Sequence, residues 1–428
     1  MIIDKPKITE GNDEICVSAR VKIRASDRAF PNTLWFKFPK SYAKYVTDRA
    51  DSFAALLLPL AMRYGEDLEI CGTLSPRLAN GMREYQRIQQ IWKPNEFKLI
   101  QITFHNLKTT NPTKIVGGVG CAFSGGVDSF YTLWAHLPQQ EPNPGYRISH
   151  CLMINGFDLN SIPENTEHFH NKTRQLYEPM MNKLGLQLLV AHTNIWQFMD
   201  KRKWKIYMYI FGSVLIACAL ALGNLFSRFY MASSFQYTQL FPWGSHPLLD
   251  HLLCTETMES IHDGAHLTRV EKIAAISHWP ETYSRLRTCL FNTFFIDKAA
   301  NLENCCRCER CIQTMSVLEM LGVLDKYTVF PKPWKPKYIR NINFFNIPEK
   351  AKYKYLYAQE IIQHARNIGR RDVVFNFRYA IFRNILFKEP IKKGRRAIEK
   401  ILRHVFKQGV WGGKASKFDL QLLKIKRD

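Results

Sequence analysis

The sequence predicts an α/β protein centred on a parallel sheet, and three observations carry that prediction. From residue 112 onward, short apolar runs alternate with helical patterns, the order in which βαβ units build a parallel sheet. An apolar, β-leaning run at residues 115–123 passes through two adjacent glycines into the helical pattern of Phe130, Tyr131, Leu133 and Trp134. Further strand-like runs follow at residues 150–155, 186–191 and 228–232, the last two each preceded by a helical stretch. With 428 residues the chain has room for flanking modules, which gives three parts: 1–112, 113–327 and 328–428.

The first part reads as a small α+β module. Apolar residues alternate with polar ones at residues 15–23 and 34–38, as in half-buried strands, and residues 52–62 form one apolar helical stretch. No chemical constellation appears in it, so its expected role is to position a substrate or partner.

The middle part holds the chemistry. Residues 124–129 read Ser124, Gly125, Gly126, Val127, Asp128, Ser129, between a strand and a helix start. Two glycines let the backbone turn without Cβ clashes, and the helix N-terminus beyond them offers unpaired N–H groups and a partial positive charge. Such a turn is a phosphate cradle. Ligands in parallel α/β sheets sit beyond the carboxyl ends of the strands, so residues 155–158 (Asn155 first), Thr193, Asn194 and residues 233–235 (Ser233 first) are expected to line one crevice with the loop.

Residues 207–227 are about as long and uncharged as a membrane span, which needs roughly 20 apolar residues. Gly212 and Gly223 read as close-packing positions and a buried strand follows, so the expectation is a core helix and no membrane insertion. The first residues lack the basic and apolar regions of a secretory signal. The 11 cysteines are an odd number, scattered except for one cluster, which suits a reducing compartment. A cytoplasmic location is expected. The histidines at 246, 251 and 262 read as loop or core residues, and Arg269 and Lys272 share one helix face at i,i+3 spacing.

The cluster is Cys305, Cys306, Cys308 and Cys311, with Cys289 upstream. Cys305, Cys308 and Cys311 have the C-x2-C-x2-C spacing at which thiolates converge on one tetrahedral ion, with Cys289 as candidate fourth ligand. Zinc is expected, and an iron–sulfur cluster is possible with the same ligands.

The six residues of the loop resemble the pyrophosphate-binding loop of the N-type ATP pyrophosphatases. Loop and cysteines together, across roughly residues 113–325, look like a divergent 7-cyano-7-deazaguanine synthase. In that pattern a glycine stands where this chain has Cys306 and an arginine is common at Thr314. The resemblance implies a Rossmann-like parallel sheet of the adenine nucleotide alpha hydrolase type and an enzyme using ATP and Mg²⁺. Such an enzyme adenylates a carbonyl or carboxyl oxygen, releases pyrophosphate and lets a nitrogen nucleophile displace AMP. It also implies that Ser124, Gly125, Gly126, Val127 and Ser129 cradle the phosphates, with Asn155 and Ser233 beside them. Asp128 would help hold Mg²⁺ or cap the loop, and Lys272 would neutralise the leaving group.

The last part is basic. Prolines at 331, 333 and 336 mark a linker, and from residue 328 onward 25 Lys and Arg stand against 7 Asp and Glu, most of the net charge of +23. Aromatic residues interleave with these bases, among them Tyr353, Tyr355, Phe375, Phe377, Tyr379 and Phe382. A mainly helical module is expected, either solvated or facing nucleic acid or an anionic surface. The competing functional class is therefore a nucleic-acid-binding component of a larger assembly, such as a defence system, that uses its ATP site for sensing.

Overall fold

The computed structural model describes residues 1–24, 30–109, 115–156, 163–199, 207–289, 303–342 and 348–388. Residues 389–428, part of the basic segment, and the expected crevice residues Phe157 and Asp158 lie outside the described residues.

The N-terminal strands are β1 (Ile2–Ile3), β2 (Lys7–Glu10), β3 (Glu14–Lys22), β4 (Thr33–Pro39), β5 (Leu68–Leu74) and β6 (Ile102–Leu107). In β3 and β4 the alternating residues predicted to face inward do so, and β5, outside those predicted runs, alternates in the same way. Helix α1 (Asp51–Tyr64) is buried from Asp51 to Met62, because it lies under the sheet and against a second apolar helix. Helix α2 (Pro76–Trp92) starts at Pro76 with the Ser75 hydroxyl accepting from Leu78 N.

Five strands follow: β7 (Gly118–Ala122), β8 (His150–Asn155), β9 (Gln187–Thr193), β10 (Phe226–Ala232) and β11 (Glu259–Asp263). They pair in parallel in the order β11-β10-β7-β8-β9. The helices between and after them are α3 (Val127–Ala135), α4 (Pro163–Lys183), α5 (Tyr207–Ala221) and α6 (Arg269–Ile276). The order reverses at β7, and the carboxyl end of such a reversal is where parallel α/β sheets commonly bind ligands.

The sheet does not stop at residue 112. β4 pairs antiparallel with β9, at Phe36 with Thr193 and Lys37 with His192, and the order continues β4-β3-β1-β5-β6 to give eleven strands, β2 flanking β3. One apolar core runs through both segments, from Ile3 and Phe36 to Leu189 and Phe229. The protein is thus α/β with a mixed, mostly parallel sheet.

α5 is a core helix, 15 residues long, packed on α1 and buried at Ile210, Val214, Ala217, Cys218 and Ala221. A Cβ on Gly212 would overlap the Gly244 carbonyl, so glycine is what lets the loop after β10 lie on the helix. Among the described residues no helix is long and apolar enough to cross a membrane.

The C-terminal helices are α7 (Glu309–Met320), α8 (Pro348–Asn367) and α9 (Arg371–Lys388), of which α7 and α8 pack on α6 and on each other, and α9 packs on α8. Ala358, Ile361, Phe377 and Ile381 share a core with Val119, Phe130 and Ile273. Of the interleaved aromatics, Phe377 is core, whereas Phe375 and Tyr379 are exposed with the Arg340 guanidinium 5.6 and 5.3 Å from their ring centres.

Candidate active site and metal centre

The loop between β7 and α3 is built around Gly125. Its φ of 71° favours glycine, and a Cβ there would overlap the Tyr177 hydroxyl. Tyr177, on α4, is fixed in turn by donating to Arg285 O at 3.0 Å, and Arg287 N donates to Gly125 O at 2.7 Å. The Ser129 hydroxyl donates to Gly126 O at 3.1 Å, accepts from Ser124 N at 3.3 Å and lies 3.3 Å from the Ser124 hydroxyl. Both serines thus face one small turn at the N-terminus of α3.

Asp128 meets two cations there. Arg269 Nη1 donates to its Oδ2 at 2.8 Å, and Lys272 Nζ is 3.9 Å from Oδ1, which is buried with no hydrogen-bond partner. Burial pushes the Asp128 carboxyl up, but Arg269, Lys272 and Arg310 outweigh it and hold it below its ordinary value. Lys272 is 2 % exposed and donates to Ser233 O at 2.5 Å. Burial lowers its pKa, more than the Asp128 carboxylate raises it. A capping box of Thr268 and Glu271 fixes the start of α6 and so the direction of both cations.

Several contributors escaped the sequence. α8 closes over Arg269: Glu360 Oε2 accepts from Arg269 N at 3.0 Å, the Tyr357 ring centre lies 5.2 Å from the guanidinium, and Tyr357 donates to Ser234 O at 2.6 Å. Arg310 sits between two cysteines of the metal centre. Asp263, at the end of β11, accepts from Thr132 at 2.6 Å, contacts His136 Nε2 at 3.1 Å and adds its field to Lys272. Spacing could pair Arg269 with Lys272 on one face, but no local pattern names a partner 141 residues away.

The remaining expected crevice residues divide. Asn155 ends β8 buried, its Nδ2 without a partner, and Ser233 directly follows β10 beside Lys272. The Ser233 hydroxyl, however, donates to Phe235 O at 2.6 Å, so its carbonyl rather than its hydroxyl serves the site. Asn194 has other work, accepting from Trp35 N at 3.0 Å and donating to Thr33 O at 2.9 Å. It fastens β4 beside β9. A cleft of ≈ 660 Å³ lies between Thr268–Glu271 and Gln359–Asn367, and no residue of the 124–129 loop lines it. Among the described residues no group that could hold a metal includes Asp128, and its better-placed oxygen already takes a guanidinium.

Cys289, Cys305, Cys308 and Cys311 form a group whose sulfur atoms all lie within 4.8 Å of one another, a set that could hold a metal ion such as zinc. Backbone N–H groups already point at the sulfurs, Cys308 N at Cys305 over 3.3 Å and Cys311 N at Cys308 over 3.5 Å. Hydrogen bonds from Cys289, Cys308 and Cys311 push the Cys305 thiol down, and contacts within the same cluster push Cys308 and Cys311 up. Asn304 ties the two arms together, accepting from Thr288 N and Cys289 N and donating to Leu286 O. Cys306 is outside the group and has φ 56°, the one positive φ of a non-glycine among the described residues.

Fold and site thus define an α/β protein in which two cations, Arg269 and Lys272, meet Asp128 at the switch point of the parallel strands, and in which four cysteines form a centre that could hold a metal. The chain matches no known family model, no curated protein and no solved structure.

Proposed function

We propose that the protein is an ATP-dependent enzyme that adenylates a carbonyl or carboxyl oxygen, with release of pyrophosphate and displacement of AMP by a nitrogen nucleophile. The observation that carries this reading is the meeting of Arg269 and Lys272 at Asp128, on the first turn of α3. A triphosphate on that turn would meet main-chain N–H groups from the loop and two cations held in a dry wall, where charge stabilisation is strongest. Asp128 would orient Arg269 and Lys272 rather than bind magnesium, and Ser124 and Ser129 would exchange their mutual contact for phosphate oxygens. ATP supplies the leaving group, since attack of the acceptor oxygen on the α-phosphorus expels pyrophosphate.

The four cysteines would serve this reaction structurally. A closed set of thiolates leaves no coordination position for a substrate, and its value lies in holding α7, and with it Arg310, against the crevice. Zinc, when bound, would cross-link the two arms of the knuckle.

The deciding experiment incubates the purified chain with ATP labelled at the α- or γ-phosphate, with extract fractions as acceptor source. Matched release of AMP and pyrophosphate is expected. Release of ADP and orthophosphate instead would replace the reading with a simple ATPase.

A further inference from the structure

A second cluster of metal-ligating side chains lies far along the sheet from the crevice, on β5 and β6. Glu69 and Cys71 stand two residues apart on β5, hence on one face, and His105 stands on the neighbouring strand. One ligand atom from each lies within 4.8 Å of the others, and His105 Nε2 is 3.0 Å from Glu69 Oε1. Donors on a tetrahedral zinc ion are about 3.3–3.7 Å apart, given bonds of 2.0–2.3 Å. The histidine and glutamate atoms are already at about that spacing, and the Cys71 sulfur is within 4.8 Å of both, so a small shift closes the set.

The backbone prepares this arrangement. β5 and β6 pair in register up to Ile70 with Phe104, slip, and resume at Thr73 with Asn106, so that Cys71 and Gly72 together oppose His105. Such a bulge re-aims side chains. Gly72 fixes it, since a Cβ there would press on Pro6 and Ala50 at 2.8 and 2.9 Å. β5 is paired on both sides at Glu69 and Ile70, with β1 and β6, which holds the strand in place up to the residue before Cys71. Asp4 and Glu69 bring negative field to Cys71, with Lys22 as the opposing cation.

We propose that Glu69, Cys71 and His105 bind a thiophilic divalent cation, zinc by preference, as a second metal site separate from the four-cysteine centre. A thiolate and an imidazole select against magnesium and calcium, which take oxygen ligands. Three protein ligands leave a fourth position, and the side chains of Glu69 and His105 are 41 and 48 % exposed, so water completes the set. This ion exchanges with solvent, whereas one in the closed cysteine centre does not.

The test uses the full chain, purified without chelator and dialysed to equilibrium against zinc chloride, with elemental analysis of the protein compartment corrected for the zinc in the dialysate. Two zinc ions per chain are expected. Cys71→Ser and His105→Ala should each retain one and show a smaller rise in melting temperature on adding zinc than the wild type does, and Cys308→Ser should lose the other. Cobalt(II) loading adds an independent readout: the thiolate charge-transfer absorbance per chain should fall by about one fifth in Cys71→Ser, one thiolate of five. One zinc in the wild type, or two retained in Cys71→Ser, overturns the site.

Discussion

Arg269 is held against Asp128 by a 2.8 Å hydrogen bond from its guanidinium, with the arginine side chain 10 % and the aspartate 23 % exposed. The pair joins the first turn of α3 to the first turn of α6, and Lys272 approaches the same carboxylate from one turn later. The carboxylate therefore stabilises two cations that would otherwise repel one another in a poorly solvated place.

Removing it should cost more than function. Asp128→Ala should destabilise the protein by roughly 2–4 kcal/mol, because it leaves Arg269 and Lys272 uncompensated. Adding Arg269→Met should recover part of that loss, whereas pyrophosphate release should stay abolished in both variants. Urea unfolding of the two single variants and the double one measures the coupling, and strict additivity would mean that the pair contributes nothing.

Gly125→Ala tests the loop separately. A side chain at φ 71° costs about 1–3 kcal/mol, and here it must also displace the Tyr177 hydroxyl from Arg285 O. The Arg287 N to Gly125 O bond should loosen with it. A melting temperature equal to that of the wild type would show that the turn tolerates a side chain.

Much of this was readable in the sequence because it depends on local chemistry. The strand, double glycine and helix start between residues 118 and 135 follow from period and turn chemistry, and the cysteine spacing brought Cys305, Cys308 and Cys311 together as expected. What escaped depends on contacts between distant segments. Asn194 looks like a crevice residue until its amide is seen bonding Thr33 and Trp35, and the β4–β9 pairing it secures makes one sheet out of segments that read as separate modules. Likewise Tyr357 and Glu360 lie in a basic, aromatic helix whose composition suggested an outside partner, and their contacts are with Ser234 and Arg269.

Cys306 is a case in which the sequence pattern and the backbone agree. The place where the resembled family has glycine is left-handed here, at φ 56°. Cys306→Gly should therefore keep the metal of the neighbouring four cysteines, and the relief of strain should roughly balance the extra entropy of an unfolded glycine. Metal content and unfolding free energy within about 1 kcal/mol of the wild type are expected. Cys306→Val should be worse than either, since a β-branched residue resists positive φ. Loss of zinc in Cys306→Gly would make Cys306 a ligand.

His246 supplies a test of pH dependence away from the crevice. It is buried, its Nδ1 accepts from Leu248 N at 3.0 Å, and its ring meets Trp92 edge-on with centres 4.8 Å apart. Burial first, and then the neighbouring His262, lower its pKa from 6.5 to about 4, against an opposing pull from Asp250. A protonated Nδ1 would also turn a donor towards the Leu248 N–H. Because the folded pKa is depressed, the unfolded chain takes up this proton first as pH falls, so folding stability is lost between pH 6.5 and about 4. Over that interval the loss attributable to this one group is about 3 kcal/mol. His246→Leu starts from a lower stability, having lost the Leu248 bond, but its stability should fall less steeply over the interval. Urea unfolding at half-unit pH steps compares the slopes directly, and parallel curves for the two proteins would assign the acid sensitivity to another group.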